Sequence, residues 1–379
     1  MNLNNRSIRL SLITSALVGG SFSHAGMMDN FIDPQDERLD GSQFILDNAV
    51  GFLPVPLTVT DPAVGVGGGA ALLFFHESEE RKQKRLAREE VKDIPASTSG
   101  LMALGTNNGS HLYGGFHSGN WMNDRIRYLG GLFGAKFNLK FYPVAESAPM
   151  DLSLEGLYFF QELDVRLGDS NFFVGGSYSY MSSKPTLDGF SHADWAPKDG
   201  KLGWRFMYDS RNNQFSPREG TKAGVKVDYH NKAFGGQFNY QKYNAYMQNY
   251  SRLSDKWGLG LRADFKSISE NVDPRASVYA TPFIEMRGIA AMRYRAENTA
   301  LGEVELSYDI DDRWTVLGFV GAGTAFNHDE SIAKSQVHYT RGGGFRYLIA
   351  RQLGLRVGVD VAKGPEEWTT YIQFGSAWR

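Results

Sequence analysis

The sequence predicts an all-β fold, a transmembrane antiparallel β-barrel of about 16 strands, and three observations predict it. The chain ends on two amphipathic strands of period two. The same alternation recurs along its length with charge on one face. No stretch after the N-terminus approaches the roughly 20 continuous apolar residues that a membrane helix needs.

At the C-terminus Leu353, Leu355, Val357, Val359 and Val361 alternate with Gly354, Arg356, Gly358, Asp360 and Ala362. After a turn at 363–367 the pattern resumes, with Trp368, Thr370, Ile372, Phe374, Ser376 and Trp378 on the face expected to meet lipid. In a barrel only every second residue of a strand of about 10 faces lipid, so mean hydropathy stays low. A content of 43 Gly, 18 Tyr and 25 Phe at a net charge of −2 agrees with that. A soluble sandwich also alternates, but it would turn Arg356 and Asp360 to outside water, whereas in a barrel the water is inside.

From the N-terminus, Arg6 and Arg9 precede an apolar stretch from Leu10 to about Val18, and Ser23, His24 and Ala25 suit a signal peptidase. A signal peptide is therefore expected over 1–25. The chain has no cysteine, which excludes a lipid anchor at the cut, a disulfide framework and a thiolate metal site. A short periplasmic segment is expected over 26–50, acidic from Asp29 to Asp40 and then forming a short helix capped by Ser42. The barrel domain is expected over 51–379.

Strands are expected at 52–60, 64–75, 100–106, 110–118, 125–141, 152–166, 172–182, 202–209, 221–231, 236–250, 257–266, 301–310, 314–323, 338–350, 353–361 and 368–378. Pro54 and Pro56 make the first an edge or a lead-in. If it is lost, parity removes another and leaves about 14. Short turns at 311–313 and 351–352 suit the periplasmic rim, and the connection 184–200 suits the outside. The run 77–93 balances Lys and Arg evenly against Asp and Glu and reads as a solvated surface insertion.

Alternation assigns the faces. Ala223, Val225, Val227 and Tyr229 point out, with Lys226 and Asp228 in. Leu259, Leu261 and Phe265 point out, with Arg262 and Asp264 in. Val304, Leu306, Tyr308 and Ile310 point out, leaving Glu303, Glu305, Ser307 and Asp309 for a lumen of mixed charge. In the fourth strand Leu112, Gly114 and Phe116 are assigned to lipid, which puts His111 and His117 in the lumen.

The long interruption 267–300 contains Glu285-Met286-Arg287-Gly288-Ile289. A second segment, Asp209 to Gly220, carries Asp209, Arg211, Pro217 and Gly220 in an Asp-x-Arg…Pro-x-x-Gly pattern. A third comprises Gly344-Phe345-Arg346-Tyr347 and then Leu355 to Asp360. In these motifs and their order the chain, over roughly 50–379, resembles the BamA/TamA family of outer-membrane barrels, the bacterial surface antigen family. It looks like a barrel-only member without periplasmic repeat domains. The resemblance implies that the 267–300 loop is extracellular in origin and folds back into the lumen with Arg287 and Gly288 at its tip. It also implies a lumen acid as partner for Arg287. The family's Phe-x-Asp-x-Gly strand reads Phe319-Val320-Gly321-Ala322-Gly323 here, so that acid is missing. Asp360 is the favoured substitute, with Glu303 and Glu305 as alternatives. Gln373, Gly375 and Trp378 match the C-terminal assembly signal of outer-membrane proteins, one residue short of the usual final aromatic.

The resemblance implies a role in assisting outer-membrane protein or lipid assembly or translocation, in the outer membrane of a Gram-negative cell. The expected partners are outer-membrane lipids including lipopolysaccharide, the outer-membrane insertion machinery during biogenesis, and a separate periplasmic partner. No nucleic acid, cofactor or metal is expected. Gly65 to Gly69 lacks a following phosphate-binding helix, and the His residues lack ligand spacing. The alternatives are a passive channel and, further off, an outer-membrane lipid hydrolase. For the hydrolase the sequence offers His117-Ser118, but neighbours on a strand point to opposite faces and form no nucleophile–base pair. No catalytic residue is therefore expected.

Overall fold

The structure is a computed structural model that describes residues 31–47, 52–61, 63–76, 97–142, 148–187 and 197–378. The expected signal peptide, the charge run 77–93 and much of the 184–200 connection lie outside the described residues.

Sixteen strands make one sheet: β1 (Phe52–Asp61), β2 (Gly65–His76), β3 (Ser97–Thr106), β4 (His111–Trp121), β5 (Ile126–Phe141), β6 (Met150–Arg166), β7 (Phe172–Leu187), β8 (Lys198–Asp209), β9 (Gly220–His230), β10 (Tyr240–Arg252), β11 (Trp257–Ile268), β12 (Asn298–Asp309), β13 (Trp314–Phe326), β14 (Val337–Ala350), β15 (Leu355–Lys363) and β16 (Trp368–Phe374). Each pairs with its neighbour in sequence, so sheet order is chain order. Antiparallel neighbours need only a short turn between them, which an up-and-down barrel supplies throughout. β16 comes round beside β1, yet no register joins the two among the described residues.

All sixteen expected strands are present. β1 survives its prolines because Pro54 and Pro56 are two apart. Their missing N–H groups fall on one edge of the strand and leave the other edge for the β2 ladder. Turns 122–125, 253–256, 310–313 and 351–354 lie at the rim that also carries the start of β1 and the end of β16; the connections 269–297 and 327–336 lie at the opposite rim. These are called the short-turn and long-loop rims.

The exterior is apolar, with Leu72, Leu101, Trp204, Val225, Val304, Val320 and Trp368 exposed. The interior holds ion pairs such as Arg127–Asp209, Arg205–Glu162 and Lys201–Asp228. This inversion of a soluble fold is what lipid outside and water inside require.

Two expected placements are corrected. In β4 the outward face carries Tyr113 and Trp121, both exposed, and so His117 as well. Phe116 points inward, where its ring covers Gly100 beside Leu73. Aromatics occupy both faces of this strand, so alternation alone had no polarity to read. At the C-terminus the lipid-facing strand stops at Phe374. Gly375 adopts φ +79°, a left-handed conformation that glycine takes without strain. Its N–H donates to the Arg356 carbonyl (2.7 Å), and the Ser376 N–H donates to that of Phe215 (2.7 Å). The turn carries Trp378 into the lumen, 3% exposed, rather than onto the greasy outer face.

Before the barrel, residues 31–44 form an acidic strap on the short-turn rim. It runs into a short helix, α1 (Ser42–Asp47), whose Ser42 hydroxyl accepts the Gln352 N–H (3.1 Å). Asp33, Asp36 and Asp40 surround Arg313, whose side chain is fully buried, and Arg313 Nε lies 2.6 Å from Asp36. Arg351 Nε donates to Asp33 (2.6 Å), and the Tyr347 hydroxyl to the Leu39 carbonyl (2.7 Å). Burial alone would raise the Asp33 pKa, but hydrogen bonds from Arg351 and the Gln35 N–H, with both guanidinium charges, hold it below the usual value. For Asp36 the Arg313 hydrogen bond does the same.

Depressed carboxylate pKa values mean that the strap's attachment is full above about pH 4 and is lost as pH falls through the lowered values. The chain has no cysteine, so a spin label on Gln35→Cys reports on the strap alone. Its spectrum should be immobilised at pH 7, become mobile in acid, and be mobile already at pH 7 in Arg313→Ala.

Candidate functional site

The 269–297 connection between β11 and β12 enters the barrel and is held on two walls. It begins with a second helix, α2 (Pro274–Ala280), started by Pro at its first turn and by Asp273, whose side chain accepts the Arg275 N–H (2.9 Å). Ala276 and Ala280 bury against Phe238, Tyr240 and Ile268. Further on, Met292 packs with Leu152 and Leu154 of β6, joined by Phe137, Leu139 and Phe283. Apolar side chains on this stretch of the lumen wall therefore serve the loop.

The opposite anchor is ionic. Arg287, 7% exposed, directs Nη1 to Glu305 (2.8 Å) and to Asp360 (3.0 Å), and its Nε lies 3.5 Å from Glu303. Asp360 also receives both terminal nitrogens of Arg346, and Arg262 Nη1 donates to Glu303 (2.7 Å). Three guanidinium groups thus meet three carboxylates, and the cluster carries no net charge. The Arg287 guanidinium lies over the Phe319 ring, 3.5 Å from its centroid, with Trp378 at 5.8 Å. Beside it Gly288 has φ +90°, its N–H donates to the Tyr371 hydroxyl (2.8 Å), and its backbone touches Gly364 of the β15–β16 turn. A side chain on either glycine would separate the two backbones.

Asp360, Glu303 and Glu305, the acids weighed from sequence, all contact Arg287. The acid absent from β13 has a visible replacement. Glu303 sits opposite Gly321 in the β12–β13 register, and its side chain, with Met286, lies over the space a residue at 321 would fill. The carboxylate comes from the neighbouring strand instead. Arg346 and Arg262 also belong to the cluster; one lies in the closing motif and one on an inward face, but neither position by itself signals a partner on another strand.

The Asp209–Gly220 segment joins β8 to β9 at the short-turn rim and reaches toward the last strands. Arg211 holds Asp209 with two hydrogen bonds (2.8 and 3.0 Å), and Arg127 adds a third (2.7 Å). The Asn212 side chain accepts the N–H groups of Arg218 and Glu219, and Asn213 those of Phe215 and Ser216. Ser216 accepts the Arg356 N–H (3.1 Å), and Asn213 donates to the Leu353 carbonyl (3.2 Å). Pro217 is buried. Gly220, at φ +101°, leaves no room for a Cβ against the Ser210 carbonyl. Of the C-terminal residues, Gln373 lies in β16 opposite Gly358, whereas Gly375 and Trp378 pack on this turn and on the loop cluster respectively. Among the described residues no group of three or more His, Asp or Glu side chains is placed to hold a metal ion.

No protein-family profile and no curated protein matches the chain. Among solved structures it matches BamA from Haemophilus ducreyi lacking POTRA domains 1–3, at 14% identity and TM-score 0.54, over 85% of this chain and 69% of that one. It also matches CdiB from Escherichia coli (10% identity, TM-score 0.60) and CdiB from Acinetobacter baumannii (10%, 0.55), each over 85% of this chain. It spans only 61% and 59% of those two chains. The fold is that of the BamA and CdiB barrels.

Removing one side of a buried ion cluster strands the other. Arg287→Ala should cost about 3–5 kcal/mol, read as a lower unfolding midpoint in detergent and faster proteolysis within 281–297. Arg287→Lys, which keeps the charge and loses the fork, should fall between. Gly220→Ala should destabilise by more than the ~1 kcal/mol of an ordinary glycine replacement, because the left-handed backbone and the Ser210 contact both resist it.

Proposed function

We propose that the chain is an exported outer-membrane barrel that assists the assembly or translocation of outer-membrane proteins or lipids, working with a separate periplasmic partner. One observation carries the reading: the wall is hydrogen-bonded strand to strand from β1 to β16, and among the described residues no register crosses the β1–β16 seam. A seam that parts laterally gives a client access to the membrane without breaking a ladder. The motif resemblance to the BamA/TamA family points the same way, and the fold match with BamA and CdiB supports it. In this reading residues 1–25 are a signal peptide, 26–50 a periplasmic segment and 51–379 the barrel. The short-turn rim faces the periplasm and meets the partner. Gln373, Gly375 and Trp378 serve recognition by the insertion machinery, and the outer surface meets lipid, including lipopolysaccharide. A passive channel fits less well, because the Arg287 loop occupies the lumen.

Because the chain has no cysteine, a disulfide placed between β1 and β16 is unambiguous. Sealing the seam should abolish the protein's effect on the outer-membrane proteome in a depletion background, and reduction should restore it. In planar bilayers the intact protein should conduct poorly, and deletion of 280–295 should raise conductance. Large, steady currents that the deletion leaves unchanged, with a sealed seam that changes nothing, would establish the pore instead.

A further inference from the structure

Lipid-facing positions of the barrel wall are mostly apolar or aromatic; Arg341 and the Lys136–Glu155 pair are charged exceptions toward the long-loop rim, and a further polar row lies toward the other rim. The strand registers align Phe74 with Ser99, Ser99 with His117, His117 with Gly130 and Gly130 with Gln161, a continuous line across β2 to β6. The outward face of this line is fixed by exposed Leu72, Leu101, Tyr113, Trp121 and Leu132 on the same faces of the same strands. Ser99 Oγ lies 2.9 Å from His117 Nδ1 and 2.8 Å from His76 Nε2, so one hydroxyl stands between two imidazoles on the outside of the barrel. Polar groups on that surface are costly unless they meet polar chemistry there.

The surroundings describe what they meet. A shallow, open groove of about 420 Å³ runs along this wall, lined by Phe74, Leu101, Leu132 and Phe159 and floored where Gly115 and Gly130 carry no side chain. Its polar end is Ser99, His117 and Gln161. The site lies toward the short-turn rim, since His76 ends β2, Ser99 is near the start of β3 and Trp121 ends β4. Trp121 and Tyr128 stack with centroids 5.6 Å apart, and the His117 ring packs on both, at 6.1 and 5.9 Å. Aromatic rings of this kind sit at the level of lipid headgroups. An acyl chain in the groove would bring its ester carbonyl to Ser99.

We propose that Ser99 and His117 form a lipid-ester hydrolase site on the outer wall, taking glycerophospholipid from the leaflet at the short-turn rim. With His76 Nε2–H donating to Ser99 Oγ, the serine proton points to His117 Nδ1. Oγ attacks the ester carbonyl carbon as His117 takes that proton. The ester C–O bond breaks, the lysolipid alcohol leaves with the proton from His117, and acyl-Ser99 remains. Water, deprotonated by His117, then attacks the acyl carbon, releases the fatty acid and restores the Ser99 hydroxyl, so one water is consumed per ester. The aromatic stack, in place of a carboxylate, fixes the orientation of the His117 ring.

The full chain, folded into vesicles of phosphatidylethanolamine and phosphatidylglycerol, tests this with two readouts: a fluorophosphonate adduct mapped to the Ser99 peptide, and release of fatty acid. Both should appear in the wild type and fall at least 100-fold in Ser99→Ala. His117→Ala should lose most of both and Ser118→Ala neither, each variant being checked for the heat-dependent gel shift of a folded barrel. Absence of adduct and release from the folded wild type, or release that survives Ser99→Ala, would overturn the proposal. Fatty-acid release that appears only when lipopolysaccharide is added to the vesicles would overturn the assignment to glycerophospholipid. Neither readout depends on the β1–β16 seam, so the site and the assembly role stand or fall separately.

Discussion

A guanidinium buried in the lumen organises parts of the chain that are far apart in sequence. Arg287 reaches Glu303 and Glu305 on β12 and Asp360 on β15, lies on Phe319 of β13 and approaches Trp378 at the C-terminus. The arrangement follows from lipid outside the barrel. Charges excluded from the outer face must turn inward, where half the wall residues project, and an unpaired charge in a narrow interior is costly. Balanced pairing with Arg262 and Arg346 removes that cost and leaves the loop tip as the joint between strands.

The short-turn rim is built by similar chemistry with different components. Arg313, buried among three aspartates, fastens the segment ahead of the barrel to the turns after β12 and β14. The Asp209–Gly220 turn reaches Arg356 and the Ser376 backbone. Both devices converge on the last strands of the sheet, β12 to β16. The lumen loop also ends there. That side of the barrel is tied at both rims and through its middle, whereas β1 to β4 carry no comparable inner ties among the described residues.

Strand positions and most faces were legible because period-two alternation against lipid leaves one face apolar and the other charged, as in Val225 to Tyr229 or Val304 to Ile310. Legibility failed where that contrast vanishes. β4 has rings on both faces, so His117 was placed inside although it lies outside beside Ser99, a residue whose strand register no local pattern reveals. Trp378 continued the alternation on paper, but one left-handed glycine redirects it. The acid that β13 lacks comes from β12 and β15. Asp360, Glu303 and Glu305 were legible as candidates from their inward faces, but their convergence on one guanidinium was not, because cross-strand proximity leaves no local pattern.

These ties also bear on where the wall would part in the proposed function. Opening any laddered pair would expose backbone N–H and C=O groups to hydrocarbon, at several kcal/mol for each group left unsatisfied. The β1–β16 edge has no such ladder to lose among the described residues, and Pro54 and Pro56 of β1 have no N–H to leave exposed. On the far side of the seam, β16 is short because Gly375 draws the chain inward, where the N–H groups of Gly375 and Ser376 donate to the Arg356 and Phe215 carbonyls. The inward turn that binds Trp378 to the loop cluster is therefore the same feature that shortens the seam. Rigidity in the lumen and freedom at the wall's edge arise from one change of direction in the chain.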